Sequence, residues 1–191
     1  MGPPPVLYFD LVSPYAYLAV ERAARVLPRR PELEPILVGA IFKLRGSGSW
    51  AATANREMRM AEIEVRAKHY GLPPLAWPQT WPGNALAAMR AATWAKAEGR
   101  VAEFAHAVYR AEFVAGRDPA DLDVLAACAD EAGLDGGELA DAIQRPAIKA
   151  GLRGATTAAW DTGVRGVPTL VVGEVVLFGD DQLEIAAEEM A

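Results

Sequence analysis

Ser13, Pro14 and Tyr15 follow an apolar run and a single acid, Val6-Leu7-Tyr8-Phe9-Asp10. That order puts a hydroxyl where a helix begins. Serine is favoured at a helix N-cap, and proline at the first helical position, where its missing N–H would be unpaired anyway. A helix N-terminus carries partial positive charge and unsatisfied N–H groups, so a polar atom there is suited to hold an anion or a thiolate. Ser13 can equally be a cap and nothing more. A second stretch, Gly166-Val167-Pro168-Thr169, reads as a cis-proline at the start of a strand, with a trans strand-start proline as the alternative. Beside such a bond, the backbone N–H and C=O of Val167 would pair with a peptide-like ligand.

Other chemistries lack their residues. Ser13 has no base arranged for it, and the two histidines, His69 and His106, fall on helices in the middle of the chain. A Ser-His-Asp hydrolase is therefore not expected. Ser13-Pro14-Tyr15-Ala16 stands where disulfide exchange would need Cys-x-x-Cys. The single cysteine, Cys128, lies among alanines and reads as a buried apolar residue in a reducing compartment. Clustered Cys and His for a metal are missing. A net charge of −6, with basic residues scattered along helices, argues against nucleic acid. No apolar run reaches the roughly 18 residues of a membrane span. Met1-Gly2-Pro3-Pro4-Pro5 lacks the basic and apolar regions of a secretory signal, so a cytoplasmic location is expected.

The elements that must position Ser13 and Val167 follow from the hydrophobic pattern. A stiff, disordered proline lead-in is expected at residues 3–5, then a fully buried strand at 6–9 and a helix at 14–27. A strand at 33–38 completes a parallel β-α-β unit. Residues 42–49 read as a mobile loop. Helices are expected at 55–70, 83–97, 101–114, 121–132, 137–144 and 147–162, with a proline-rich extended link at 72–78. Strand character returns at 169–172 and 175–178 around Gly173-Glu174, a hairpin, and a helix over 181–190 closes the chain. The order βαβ, helices, ββα predicts an α/β, thioredoxin-like sheet (residues 1–41 and 164–191) with an all-helical domain (42–163) inserted between its halves.

With these elements in place, Tyr8-Phe9-Asp10, Ser13-Pro14-Tyr15-Ala16-Tyr17-Leu18-Ala19, Gly163-Val164-Arg165-Gly166-Val167-Pro168-Thr169 and Gly179-Asp180-Asp181-Gln182-Leu183 together resemble the 2-hydroxychromene-2-carboxylate isomerase family. This is a glutathione-dependent branch related to kappa-class glutathione transferases and bacterial disulfide oxidoreductases. The resemblance runs in order over essentially the whole chain, with Phe42-Lys43 and Ala54-Asn55-Arg56 at the expected intermediate places. It implies that Ser13 hydrogen-bonds the glutathione sulfur and that Val167, beside Pro168, pairs with the cysteinyl backbone. Asp180 and Asp181 would hold the γ-glutamyl end. Lys43 and Asn55 would line the substrate side, joined by Trp81 and Asn84. It also implies a homodimer and an aromatic substrate. Many relatives have Asn-Asp-Arg-Leu where this chain has Asp180-Asp181-Gln182-Leu183, so a carboxylate clamp is lost at Gln182.

The implied chemistry sets an energy scale. A thiol of pKa about 8.5 is only a few per cent thiolate at pH 7, and lowering it to about 6.5 takes roughly 2.7 kcal/mol. A helix N-terminus gives about 0.3–1 kcal/mol, and a hydroxyl hydrogen bond to charged sulfur about 1.5–3 kcal/mol. Ser13 and its helix suffice together. The thiolate would add reversibly to a conjugated C=C, let it rotate as a single bond, and leave. A cation for the substrate's carboxylate is expected from Lys43 or Arg56. A transferase conjugating small electrophiles, or a binding module without catalysis, are the other readings.

Overall fold

The computed structural model describes residues 4–190. Met1, Gly2 and Pro3 lie outside them, and Pro5 is buried, its carbonyl accepting from the Glu32 N–H at 2.8 Å. The expected loose lead-in is therefore corrected at Pro5, which extends the first strand's pairing.

Strand β1 (Val6–Phe9) leads through Asp10 into helix α1 (Pro14–Val26), and β2 (Glu32–Pro35) returns parallel to β1. Far along the chain, β3 (Thr169–Val172) pairs antiparallel with β1, and β4 (Val175–Phe178) antiparallel with β3. The sheet order is β2-β1-β3-β4, as the thioredoxin-like reading requires. Leu7 and Phe9 of β1 are buried while Val6 and Tyr8 are half-buried. The strand thus has one core face rather than two. β2 stops at Pro35, short of the expected end.

Between β2 and β3 come α2 (Val38–Arg45), α3 (Arg56–His69), α4 (Leu86–Ala97), α5 (Val101–Tyr109), α6 (Leu122–Glu131), α7 (Leu139–Ala142) and α8 (Pro146–Asp161). Helix α9 (Leu183–Glu189) ends the chain behind a 3-10 turn at Asp180–Gln182. A π-helical turn, Arg110–Val114, follows α5 where an unbroken helix was expected. One hydrophobic core runs from Leu7, Phe9 and Tyr17 in the sheet half through Met89, Phe104, Tyr109 and Phe113 among the helices. Tyr17, Tyr109 and Phe113 stack at its centre with centroids 5.4–6.2 Å apart.

Helix α2 corrects the expected mobile loop over residues 42–49 for its first part, residues 42–45. Its first N–H, on Val38, donates to the Asp10 carboxylate at 2.9 Å, and Leu37 N–H donates to Thr156 Oγ1 at 3.1 Å. Both capping groups lie far away in sequence, so nothing local announces the helix. Gly46 ends it with φ of 68°, a left-handed conformation that glycine adopts at no steric cost.

Asp10 is wholly buried, and burial pushes its carboxyl up to about 6, against the pull of the Val38 and Val12 N–H groups. Two other buried acids face it: the Tyr109 hydroxyl, bonded to the Asp10 carbonyl at 3.1 Å, and Glu112, whose carboxyl has no hydrogen-bond partner among the described residues and is held well above the usual range by burial. A raised folded-state pKa means that Asp10's contribution to stability is full below its ordinary value of 3.8 and is lost as pH rises through about 6. Over that window wild type is expected to lose roughly 3 kcal/mol relative to Asp10→Asn. Urea midpoints of the two proteins between pH 4 and 7 check this; parallel curves contradict it.

Candidate active site

One cavity of about 490 Å³ opens where α1 begins, bounded by α2, α3, the residues before β3, and the turn after β4. That volume lies in the range of small-molecule sites. Ser13 sits at its floor as the N-cap of α1. Its Oγ accepts from the Ala16 N–H at 3.2 Å, which spends a lone pair and leaves the hydroxyl hydrogen without an acceptor among the described residues. Pro14 has no N–H, and the N–H of Tyr15 makes no hydrogen bond among the described residues either. The helix therefore presents an unspent O–H and an unspent N–H side by side, as first-turn donors do.

Across the cavity the Val167–Pro168 peptide is cis. Val167 lines the cavity, and neither its N–H nor its C=O is paired among the described residues. Next to it, Gly179 (φ 126°, ψ 154°) turns the chain into the Asp180–Gln182 segment. A side chain there would be strained, and its Cβ would stand 2.5 Å from an Asp181 carboxylate oxygen.

Asp180 and Asp181 both line the cavity but differ in state. The Asp180 side chain is 2% exposed and is clasped by Arg66 of α3, Nη2 at 2.8 Å and Nε at 3.2 Å. Arg22 of α1 holds the Asp180 carbonyl at 2.9 Å and pairs with Glu184. Burial lifts the Asp180 carboxyl above its ordinary value, and Arg66 and Tyr70 pull it back only in part. Burial also works against the Arg66 charge, but Asp180 overrides it and the guanidinium stays protonated. Asp181 is 56% exposed, with one oxygen 3.5 Å from Arg66 and the other accepting from Gln182. Arg66 thus brings to this corner the guanidinium that Gln182 lacks. The pairing spans 114 residues, which is why sequence spacing did not reveal it.

Trp81 also lines the cavity, between Trp50 (centroids 5.3 Å) and Trp77 (4.8 Å), and its bond to Pro82 is cis. Lys43, Asn55 and Asn84 do not line it. Lys43 is exposed on α2; Asn55 is exposed before α3; Asn84 is exposed and caps the Leu86 N–H at 3.0 Å. Arg56 is spent on the Trp81 carbonyl at 2.7 Å. The cations that do line the cavity are Arg45, Arg59 and Arg66. Helical geometry supplies the reason. At about 100° per residue, positions 38, 42 and 45 share one face of α2, and 43 is turned away. Positions 59, 62 and 66 likewise share a face of α3. Periodicity would have placed Arg45 on the cavity face had residues 38–45 been read as a helix.

The sheet order, the cis-proline and the donor-lined cavity at the start of α1 define a thioredoxin-like protein. The DSBA-like thioredoxin domain matches residues 6–191. The chain is 30% identical over 186 residues to the 2-hydroxychromene-2-carboxylate isomerase of Sphingobium xenophagum, spanning 93% of this chain and 92% of that one. It belongs to the DSBA-like thioredoxin family, and within it to the family of the 2-hydroxychromene-2-carboxylate isomerases. In fold it is similar to a solved 2-hydroxychromene-2-carboxylate isomerase (TM-score 0.84, 22% identity, 97% and 93% of the two chains). It is also similar to the cytosolic disulfide reductase DsbM of Pseudomonas aeruginosa, solved with GSH (TM-score 0.64, 17% identity, 98% of each). Membership supports an isomerase or thiol-related function. No helix among the described residues is long and apolar enough to cross a membrane.

Proposed function

We propose that this protein is a glutathione-dependent isomerase of aromatic 2-hydroxychromene-2-carboxylate or hydroxybenzylidenepyruvate-type substrates. The observation that carries this reading is the convergence on one cavity of groups left unspent by the fold: the Ser13 O–H, the Tyr15 N–H, and both main-chain groups of Val167. Ser13 and Tyr15 are half-buried and Val167 is buried, and polar groups away from water seek partners, so unpaired ones gathered at a cavity fit a ligand with a matching backbone and an anionic atom.

When bound, glutathione would supply a thiolate that adds reversibly to a conjugated C=C, so that the bond turns as a single bond before the sulfur leaves. Ser13 donates its O–H toward that sulfur, and the N-terminus of α1 adds its partial charge. Val167 pairs with the cysteinyl backbone as a short added strand. The exposed Asp181 carboxylate receives the γ-glutamyl ammonium. Asp180, locked on Arg66, shapes the turn rather than binding directly. Trp50 and Trp81 offer an apolar wall for an aromatic ring.

Dithiol chemistry, which the names of several relatives in fold suggest, finds no partner here. Position 13 is serine, position 16 alanine, and Cys128 is a buried thiol on α6 pushed up to about 11 by burial. The test is turnover of trans-o-hydroxybenzylidenepyruvate with and without glutathione. Isomerisation that requires glutathione and leaves no adduct is expected. An accumulating glutathione conjugate assigns a transferase instead, and glutathione-independent turnover contradicts the reading.

A further inference from the structure

Among the cations lining the cavity, two are committed. Arg66 clasps Asp180, and Arg45 bonds the Arg165 carbonyl at 2.9 Å and Ser47 at 3.1 Å. Arg59 is different. Its one ion pair is to Glu62, its neighbour on α3, at 3.3 Å, with both side chains more than a third exposed. A pair of that kind holds a side chain weakly.

Beneath Arg59 lies a second anomaly. The Tyr15 hydroxyl is shut off from solvent and finds no acceptor for its hydrogen among the described residues, while the Arg59 guanidinium approaches its oxygen. The side chain acting on it most strongly is Arg59, which offsets part of the rise that burial imposes on the phenol. The Tyr15 ring is fixed on two sides, by Trp50 (centroids 5.9 Å, edge-on) and by the Arg66 guanidinium 5.8 Å from its centroid. A phenol hydrogen without an acceptor, on a fixed ring beside a guanidinium whose one ion pair is exposed, at a cavity wall, is an incomplete anion site. A carboxylate would give the guanidinium its fork of acceptors and the phenol hydrogen an acceptor.

We propose that Arg59 is the receptor for the substrate's carboxylate, and that Tyr15 is the positioning residue that holds it in the cavity that Ser13 also lines, with the substrate's ring against Trp50 and Trp81. This rests on the isomerase reading for the identity of the substrate. It assigns the receptor role to Arg59 in place of Lys43 and Arg56. A carboxylate of the thiol cofactor has the same chemistry, so the two sources must be separated by experiment.

The probe is 4-phenyl-2-oxobutanoate, which keeps the ring, ketone and carboxylate but has no C=C to react, compared with 4-phenyl-2-butanone, which lacks the carboxylate. Binding is read by quenching of tryptophan fluorescence, and glutathione binding separately by calorimetry. Wild type is expected to favour the acid over the ketone by at least tenfold. Arg59→Gln should abolish that preference, Arg59→Lys restore part of it, and Tyr15→Phe reduce it severalfold, with glutathione affinity unchanged in all three. A merely structural role would weaken acid and ketone alike. The proposal is overturned if the acid is not preferred, if the preference survives Arg59→Gln, or if Arg59→Gln weakens glutathione and spares the acid. The arms are separable. An Arg59-dependent preference without any glutathione binding upholds the receptor and removes the isomerase reading. Glutathione binding with an Arg59-independent preference does the reverse.

Discussion

Alanine at position 13 is expected to lower kcat/KM for glutathione-dependent isomerisation by about three- to twenty-five-fold at pH 7, and to move the activity profile toward alkaline pH. The magnitude follows from the one interaction lost. A hydrogen bond to a charged group is worth about 1.5–3 kcal/mol, and each 1.36 kcal/mol is one unit of pKa or a factor of ten in rate. The bound thiol's pKa would rise by about one to two units, so the thiolate fraction at pH 7 falls and is regained as pH rises past the new value. The fold tolerates the change, because losing an N-cap costs about 1 kcal/mol and Pro14 still starts the helix. Steady-state rates between pH 6 and 9.5 check this. A variant that loses activity equally at every pH would assign Ser13 a role other than holding a thiolate, and one that loses none would leave it a cap.

Arg66→Leu should be the most destabilising single change at the cavity, by about 3 kcal/mol. Removing one partner of a buried ion pair costs about 3–5 kcal/mol, and the lower end applies because Arg66 is a quarter exposed while the Asp180 side chain is 2% exposed. The second half of the expectation is more diagnostic. Arg66→Leu combined with Asp180→Asn should recover most of the loss, since no charge is then stranded. Acid should help the single variant too. Without Arg66, burial lifts the Asp180 pKa further, and a raised folded-state pKa makes the deficit large above that pKa and small below it. Urea midpoints of wild type, single and double variants at pH 5 and 7.5 give the comparison. A double variant no more stable than the single one would show that Arg66 works through packing against Tyr15 rather than through Asp180.

What was legible in the sequence was local. Val6 to Phe9, Ser13 and Pro14 spell a strand, an N-cap and a first helical turn within nine positions, and Gly173 with flanking valines spells a hairpin. Val167 and Pro168 announce the loop opposite. Each depends on residues a few places apart, where propensity and pattern are strong. What escaped was held by distant partners. α2 is capped by Asp10 and Thr156, so residues 42–45 look unstructured until those elements are in place. Reading them as a loop hid which face of α2 meets the cavity, and attention fell on Lys43 rather than Arg45. Arg59 and Arg66 were simply two arginines on a charged helix; only the fold sets one over Tyr15 and the other on Asp180. The missing arginine at Gln182 looked like a lost clamp because the replacement arrives from another helix.

If, as proposed, the cavity binds glutathione as a thiolate held by Ser13, binding at pH 7 releases a proton to the buffer. Calorimetric titration of glutathione into wild type and Ser13→Ala at pH 7, in two buffers of different ionisation enthalpy, counts the protons released on binding. Binding to both proteins is expected, with about 0.7 proton released by wild type and about 0.2 or less by the variant. Equal proton release from the two proteins, or no binding to wild type at millimolar glutathione, would contradict it.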